Sequence, residues 1–134
     1  MPAKAGCSRR RTTWFQPMCG SVGGYSSRTV LPGRTVRLED APTLPHIGWN
    51  QVVRRREHPV FTGIAPDADF YFVHSYVGVP AAGAPANAVL AETAHGSPFV
   101  SAVARCNLIG VQFHPERSGA DGLRLIANVV AGAA

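Results

Sequence analysis

The sequence predicts an α/β domain made mostly of strands and closed by a single helix at its C-terminus. Three observations carry this. Asp69–Tyr76 (DFYFVHSY) is dense in aromatic and β-branched residues, a composition that fits a pleated, half-buried surface. Leu108–Phe113 (LIGVQF) is an apolar run bounded by turn residues, as expected of a buried strand in a parallel or mixed sheet. Beyond it, Ser118 caps a helix through about Val130, with Leu123, Ile126, Ala127 and Val130 on one stripe.

The remaining elements follow in chain order. Residues 1–30 are rich in Arg, Ser, Thr and Gly and show neither a period of 2 nor one of 3.6, which predicts a disordered arm. From Leu31 the pattern changes, and residues 31–134 form the folded unit. Leu31-Pro32-Gly33 is a turn, and Thr35–Leu38 alternates as a short strand. A strand over Trp49–Val53 follows the break at Gly48, and Pro59–Ile64 is a turn or short helical piece closed by Gly63. Val79–Asn87 (VPAAGAPAN) is a loop. Strands near Ala88–Thr93 and Phe99–Ala104 flank the turn His95-Gly96-Ser97-Pro98. One helix is too few to cover both faces of a parallel sheet, so the chain reads as part of an α/β domain.

With 134 residues, 46% of them hydrophobic, the chain has material for one modest domain. No apolar stretch is long enough to span a membrane, and the first residues lack the apolar core of a signal peptide, so a cytoplasmic protein is expected. Cys7, Cys19 and Cys106 have neither metal-ligand spacing nor an even count, so neither a disulfide framework nor a metal site is expected. The net charge of +5 resides in residues 1–30, which hold five basic side chains and no acid; the rest holds eight of each sign. Arg54-Arg55-Arg56 is the only later cluster. It has no interleaved aromatics and reads as a solvated loop, so nucleic acid is not the expected partner.

Chemistry concentrates where the last strand breaks into His114-Pro115-Glu116. In extended backbone, residues i and i+2 point the same way, so His114 and Glu116 can face each other. Pro115 fixes its own φ and biases His114 away from helix. A carboxylate beside an imidazole fixes its tautomer and stabilises its protonated form, the base-and-orienter half of a nucleophilic triad. A surface turn with an incidental His–Glu contact is the alternative.

HPE after an apolar strand, followed by Arg117-Ser118-Gly119 and a C-terminal helix, resembles the C-terminal signature of class I glutamine amidotransferases. Leu44–Val52 (LPHIGWNQV) and Tyr71–Tyr76 (YFVHSY) are similar to paired signatures of the glutaminase subunit of imidazole glycerol phosphate synthase, in that family's order and at similar spacing. The resemblance covers Leu31 to Ala134. It implies the C-terminal part of a flavodoxin-like amidotransferase domain. It also implies hydrolysis of glutamine to glutamate and ammonia through a Cys-His-Glu triad, no cofactor, and a heterodimer with a (β/α)₈ cyclase that receives the ammonia. By the same resemblance His114 is the general base and Glu116 its orienter. His74, Ser75 and Tyr76 line the glutamine pocket, and Pro45, Ile47, Gly48, Trp49 and Asn50 face the cyclase. Read alone, His74 is a core histidine satisfied by backbone and Trp49 a core residue. His46, His58 and His95 have no metal-ligand spacing and receive no role.

The family's nucleophile sits in a G-x-C-x-G-M-Q type turn from strand to helix, where the helix N-terminus favours thiolate and backbone N–H groups stabilise the oxyanion. Cys7, followed by Ser8-Arg9-Arg10-Arg11, does not match it. Cys19 is followed by Gly23-Gly24 and Ser26-Ser27 where a helix should stand. We therefore expect a chain truncated or frameshifted upstream and inactive alone; a separate upstream chain supplying the nucleophile half is the competing reading. A non-catalytic fragment that only binds the cyclase, and part of a different amidotransferase, are the other functional readings.

Overall fold

The computed structural model describes residues 33–105 and 108–132. The arm expected over residues 1–30, with Cys7 and Cys19, lies outside the described residues, as do Leu31, Pro32 and Cys106. Eight strands and one helix follow: β1 (Gly33–Arg37), β2 (His46–Gln51), β3 (Val53–Arg54), β4 (Asp69–His74), β5 (Tyr76–Pro80), β6 (Val89–His95), β7 (Ser97–Arg105), β8 (Leu108–Val111) and α1 (Gly119–Val130). Single 3₁₀ turns stand at Pro59–Phe61, Ala86–Ala88 and Pro115–Arg117.

Strand pairing is antiparallel throughout the described residues. β1 pairs with β5 and β2 with β4, while β3-β6-β7-β8 form a four-stranded sheet. Of the parallel or mixed setting expected for Leu108–Phe113, the described neighbour is antiparallel: β8 runs antiparallel to β7, with Ala102 opposite Val111. A run buried on both faces looks the same whichever way its neighbour points, so periodicity carries no strand direction. α1 lies across β4 and the turns at 59–61 and 115–117. One core joins these pieces, with Phe61, Phe70, Phe72, Leu90, Ile109 and Leu125 fully buried.

Three further departures from the sequence reading have physical causes. The run Asp69–Tyr76 is two strands, because Ser75 interrupts it and its carbonyl accepts from Leu38 N at 2.8 Å, handing the chain from β2's edge to β1's. Gly48 does not precede a strand but sits inside β2, at φ +124°, a conformation L side chains rarely adopt. The helix buries Gly122, Leu125 and Val129 rather than the expected stripe, leaving Leu123 and Val130 exposed. The close approach of α1 to the 115–117 turn fixes that rotation, since a Cβ on Gly122 would collide with the Pro115 carbonyl.

Arg54 is also not the solvated side chain expected of its cluster. Its Nη2 donates to the carbonyls of Phe61 (3.2 Å), Ile64 and Ala65 (3.1 Å), and its guanidinium lies 4.8 Å over the Phe61 ring. A planar, always charged fork suits such a cluster of carbonyls. Arg55 pairs with Glu92 at 2.6 Å, and this one is exposed.

Candidate active site

After β8 the chain leaves the sheet through Gln112 and Phe113, both buried, and delivers His114 against β4. His114 N donates to Tyr71 O at 2.8 Å, which ties the break to that strand. Pro115 then starts a single 3₁₀ turn, and this turn brings Glu116 back under the imidazole. His114 Nδ1 donates to Glu116 Oε1 at 2.8 Å. The pair forms as expected, but by a turn rather than by the i, i+2 geometry of extended backbone. The imidazole is largely enclosed, at 16% side-chain exposure, while the carboxylate is 60% exposed. Partial burial alone would raise the Glu116 carboxyl. The hydrogen bond from His114, the Glu116 backbone N–H and the charges of His114 and Arg117 outweigh it and hold the carboxyl below its ordinary value.

Ser118, which from sequence alone is a helix cap, makes no capping bond. Its buried hydroxyl instead donates to His114 O at 2.6 Å and accepts from Tyr71 N at 2.9 Å, riveting the His114 backbone to β4. The serine type gives no signal of this, because both partners are backbone atoms distant or hidden in sequence. Replacing Ser118 with Ala strands the Tyr71 N–H, and the expected destabilisation is about 1–3 kcal/mol, measurable as a lower urea midpoint at unchanged slope.

His74 ends β4 and is buried, and its Nδ1 donates to Tyr76 O at 3.0 Å, across Ser75. That much fits a core histidine satisfied by backbone. Its other nitrogen meets a second buried imidazole, His46 Nδ1, at 2.8 Å. His46, given no role from sequence, also stacks on His95 at 4.1 Å between centroids and on Phe72 at 4.8 Å. Burial, then the charges of His95 and His74, lower His46 from 6.5 to about 4. Burial also lowers His74; its bond to the Tyr76 carbonyl opposes this, and His95 and His114 add to it. Because these groups take up protons more readily once unfolded, stability is full above the ordinary histidine value and falls as pH drops from 6.5 toward 4. From the His46 shift alone, going from pH 7 to pH 5 should cost about 2 kcal/mol, read from urea unfolding at the two pH values.

The residues expected to face a partner divide. Ile47 and Trp49 project outward from β2 and are 59% and 58% exposed. With Val73, which stands opposite Ile47 on β4, they form an apolar outer face, so Trp49 is not core. Pro45 is exposed at the approach to β2. Gly48 holds the positive φ of +124° between Ile47 and Trp49. Asn50 turns inward: its Nδ2 donates to Ala94 O at 2.8 Å and to His46 Nε2 at 3.1 Å. Trp49 meets Tyr71 edge-on at 6.1 Å, and Tyr71's backbone is held by His114 and Ser118, so the outer face and the His114–Glu116 pair share one residue. Of the pocket group, His74 is buried, Ser75 half-buried and Tyr76 41% exposed. No cluster of metal-ligating side chains occurs among the described residues, and no described helix is long and apolar enough to cross a membrane.

The glutamine amidotransferase class-I family model matches residues 15–132. The chain belongs to the class I glutamine amidotransferase family. Among similar amidotransferases are proteins named imidazole glycerol phosphate synthase subunit HisH. The one from Aromatoleum aromaticum is 45% identical over 120 residues, 83% of this chain and 54% of that protein. The one from Photorhabdus laumondii is 54% identical over 86 residues, 63% of this chain and 40% of that protein. The chain thus spans about half the length of the curated relatives it matches. The crystal structure of a protein described as a GMP synthase subunit, from Thermoplasma acidophilum, superposes with a TM-score of 0.57 at 17% identity, over 75% of this chain and 48% of that one. That likeness is one of fold.

Proposed function

We propose that this chain is the base-bearing part of a glutaminase subunit of imidazole glycerol phosphate synthase. In this reading it hydrolyses glutamine with a cysteine nucleophile that is neither Cys7 nor Cys19 and is supplied from outside this chain, and it passes ammonia to a cyclase. The observation that carries the reading is the 2.8 Å bond from His114 Nδ1 to Glu116 Oε1 in a chain of this family. With Nδ1 committed to the carboxylate, Nε2 is the nitrogen that exchanges protons with the reaction. It takes the thiol proton as sulfur attacks the glutamine carboxamide carbon, and returns it to the nitrogen as the C–N bond breaks and ammonia leaves. It then takes a proton from the water that attacks the thioester, and gives it back to sulfur as glutamate departs. Glu116 stabilises the imidazolium formed in each half and keeps the ring in register. His74, Ser75 and Tyr76 line the glutamine pocket. Pro45, Ile47, Gly48, Trp49 and Asn50 belong to the cyclase-facing side, with Ile47 and Trp49 as its direct contacts.

The test mixes the purified chain with the cyclase subunit of a bacterial imidazole glycerol phosphate synthase and measures complex formation and glutamate release. A complex without glutamate above buffer background is expected. Turnover that is lost on Cys7→Ala or Cys19→Ala would overturn the external nucleophile. Failure to bind the cyclase at micromolar concentration would overturn the partner.

A further inference from the structure

Asn50, His46, His74 and Tyr76 form one unbroken line of hydrogen bonds beneath the outer face of β2. Both ends of the line are fixed by backbone carbonyls, and this decides every proton in it. Asn50 Oδ1 accepts from Gln51 N at 2.8 Å and its Nδ2 donates to Ala94 O, so Nδ2 is a donor and His46 Nε2 must accept from it. A neutral His46 then carries its proton on Nδ1 and donates to His74 Nε2. His74 in turn carries its proton on Nδ1, where Tyr76 O can only accept. An extra proton on either ring would set one N–H against another.

We infer that His46 is a positioning residue for the His74–Tyr76 segment, relaying the placement of Asn50 on β2 to the turn at Ser75 through two neutral imidazoles. The inference deepens the proposed glutaminase reading, in which His74–Tyr76 lines the glutamine pocket, and depends on it only for its kinetic consequence. The setting keeps the relay neutral and rigid. His46 is 3% exposed and His74 6%. Phe72 from β4 and His95 from β6 stack on the His46 ring, and Phe99 from β7 packs its edge against both histidines. His95 is itself engaged, its Nε2 donating to Thr43 O at 2.8 Å. The titratable groups facing the pair are His95, on His46 and His74, and His114, on His74; each would oppose a charge on the relay. A relay of this kind places the outward residues Ile47 and Trp49, which flank Asn50 and His46 on the same strand, in mechanical continuity with the Ser75 turn.

Two readouts test it. In imidazole ¹⁵N spectra of the full chain at pH 7, both rings should carry the proton on Nδ1. His46→Phe removes the donor to His74 Nε2, so the His74 titration should move upward by about one pH unit. His46→Asn, whose amide can occupy the Nδ1 position, should restore it. The kinetic arm uses a fusion of the chain to the part of the Aromatoleum aromaticum protein that it does not span, assayed with the cyclase. There His46→Phe should raise KM for glutamine about tenfold with a smaller change in kcat, and His46→Asn should recover it. An Nε2 proton on wild-type His46, a His74 titration indifferent to His46→Phe, or no recovery in His46→Asn would overturn the relay. A fusion that turns over no glutamine at all contradicts the glutaminase reading instead, and the ring spectra still decide the relay.

Discussion

Replacing His114 with Ala in the fusion is expected to lower glutaminase kcat by about 10²–10⁴-fold or more. The size of the effect follows from the ring's position. Its Nδ1 is bonded to Glu116, and its backbone N–H and C=O are anchored by Tyr71 and by Ser118, so the imidazole is aimed from both its ring and its backbone. In the proposed mechanism, thiol and leaving-group protons both pass through it. Glu116→Gln should cost less, because the amide oxygen can still accept from Nδ1 while the charge that stabilises the imidazolium is lost. Glu116 is held below its ordinary value, so its carboxylate is charged throughout the neutral range, and the wild-type enzyme should keep its orienter down to acidic pH. Steady-state kinetics of the two variants, with the cyclase and its ligand present, give the comparison. A His114→Ala enzyme as active as wild type would reduce the pair to a strand-ending turn.

Trp49→Ala should weaken the complex with the cyclase by about 30-fold, the loss typical of a buried aromatic anchor. Trp49 stands 58% exposed on an apolar face it shares with Ile47, two residues back on β2, and Val73, diagonal to it on β4, although a tryptophan on a strand pair would ordinarily be largely buried. Its ring meets the Tyr71 ring edge to face at 6.1 Å, so the side chain is already braced and loses little freedom on binding. Titration calorimetry against the cyclase measures the change. With more than half of the side chain exposed, folding should change much less than binding. An unchanged Kd would remove Trp49 from the interface.

The strands and the His114–Glu116 pair are legible in the sequence because both depend on local pattern: alternation, β-branched content, and a carboxylate two residues from an imidazole. What stays hidden is non-local. Ser75 splits one β run into two because its carbonyl is claimed by Leu38, which lies in a different strand pair's surroundings. The face that α1 buries is set by the approach of Gly122 to the Pro115 carbonyl, and the apolar spacing of Leu123, Ile126, Ala127 and Val130 points elsewhere. Ser118 serves two backbone atoms rather than its own helix. His46 carries no signal in its metal-ligand spacing, because its partners are Asn50, four residues along β2, and His74 on the neighbouring strand. The roles of His74, Trp49 and their neighbours rest on resemblance to a family, and no periodicity supplies them.

The most direct measurement of the central claim is glutamate release from glutamine by the wild-type fusion, with the cyclase bound and carrying its ligand. Sustained turnover that vanishes with His114→Ala is the result predicted. A fusion that folds and binds the cyclase yet releases no glutamate would contradict the assignment of His114 and Glu116 as the base and orienter of a glutaminase.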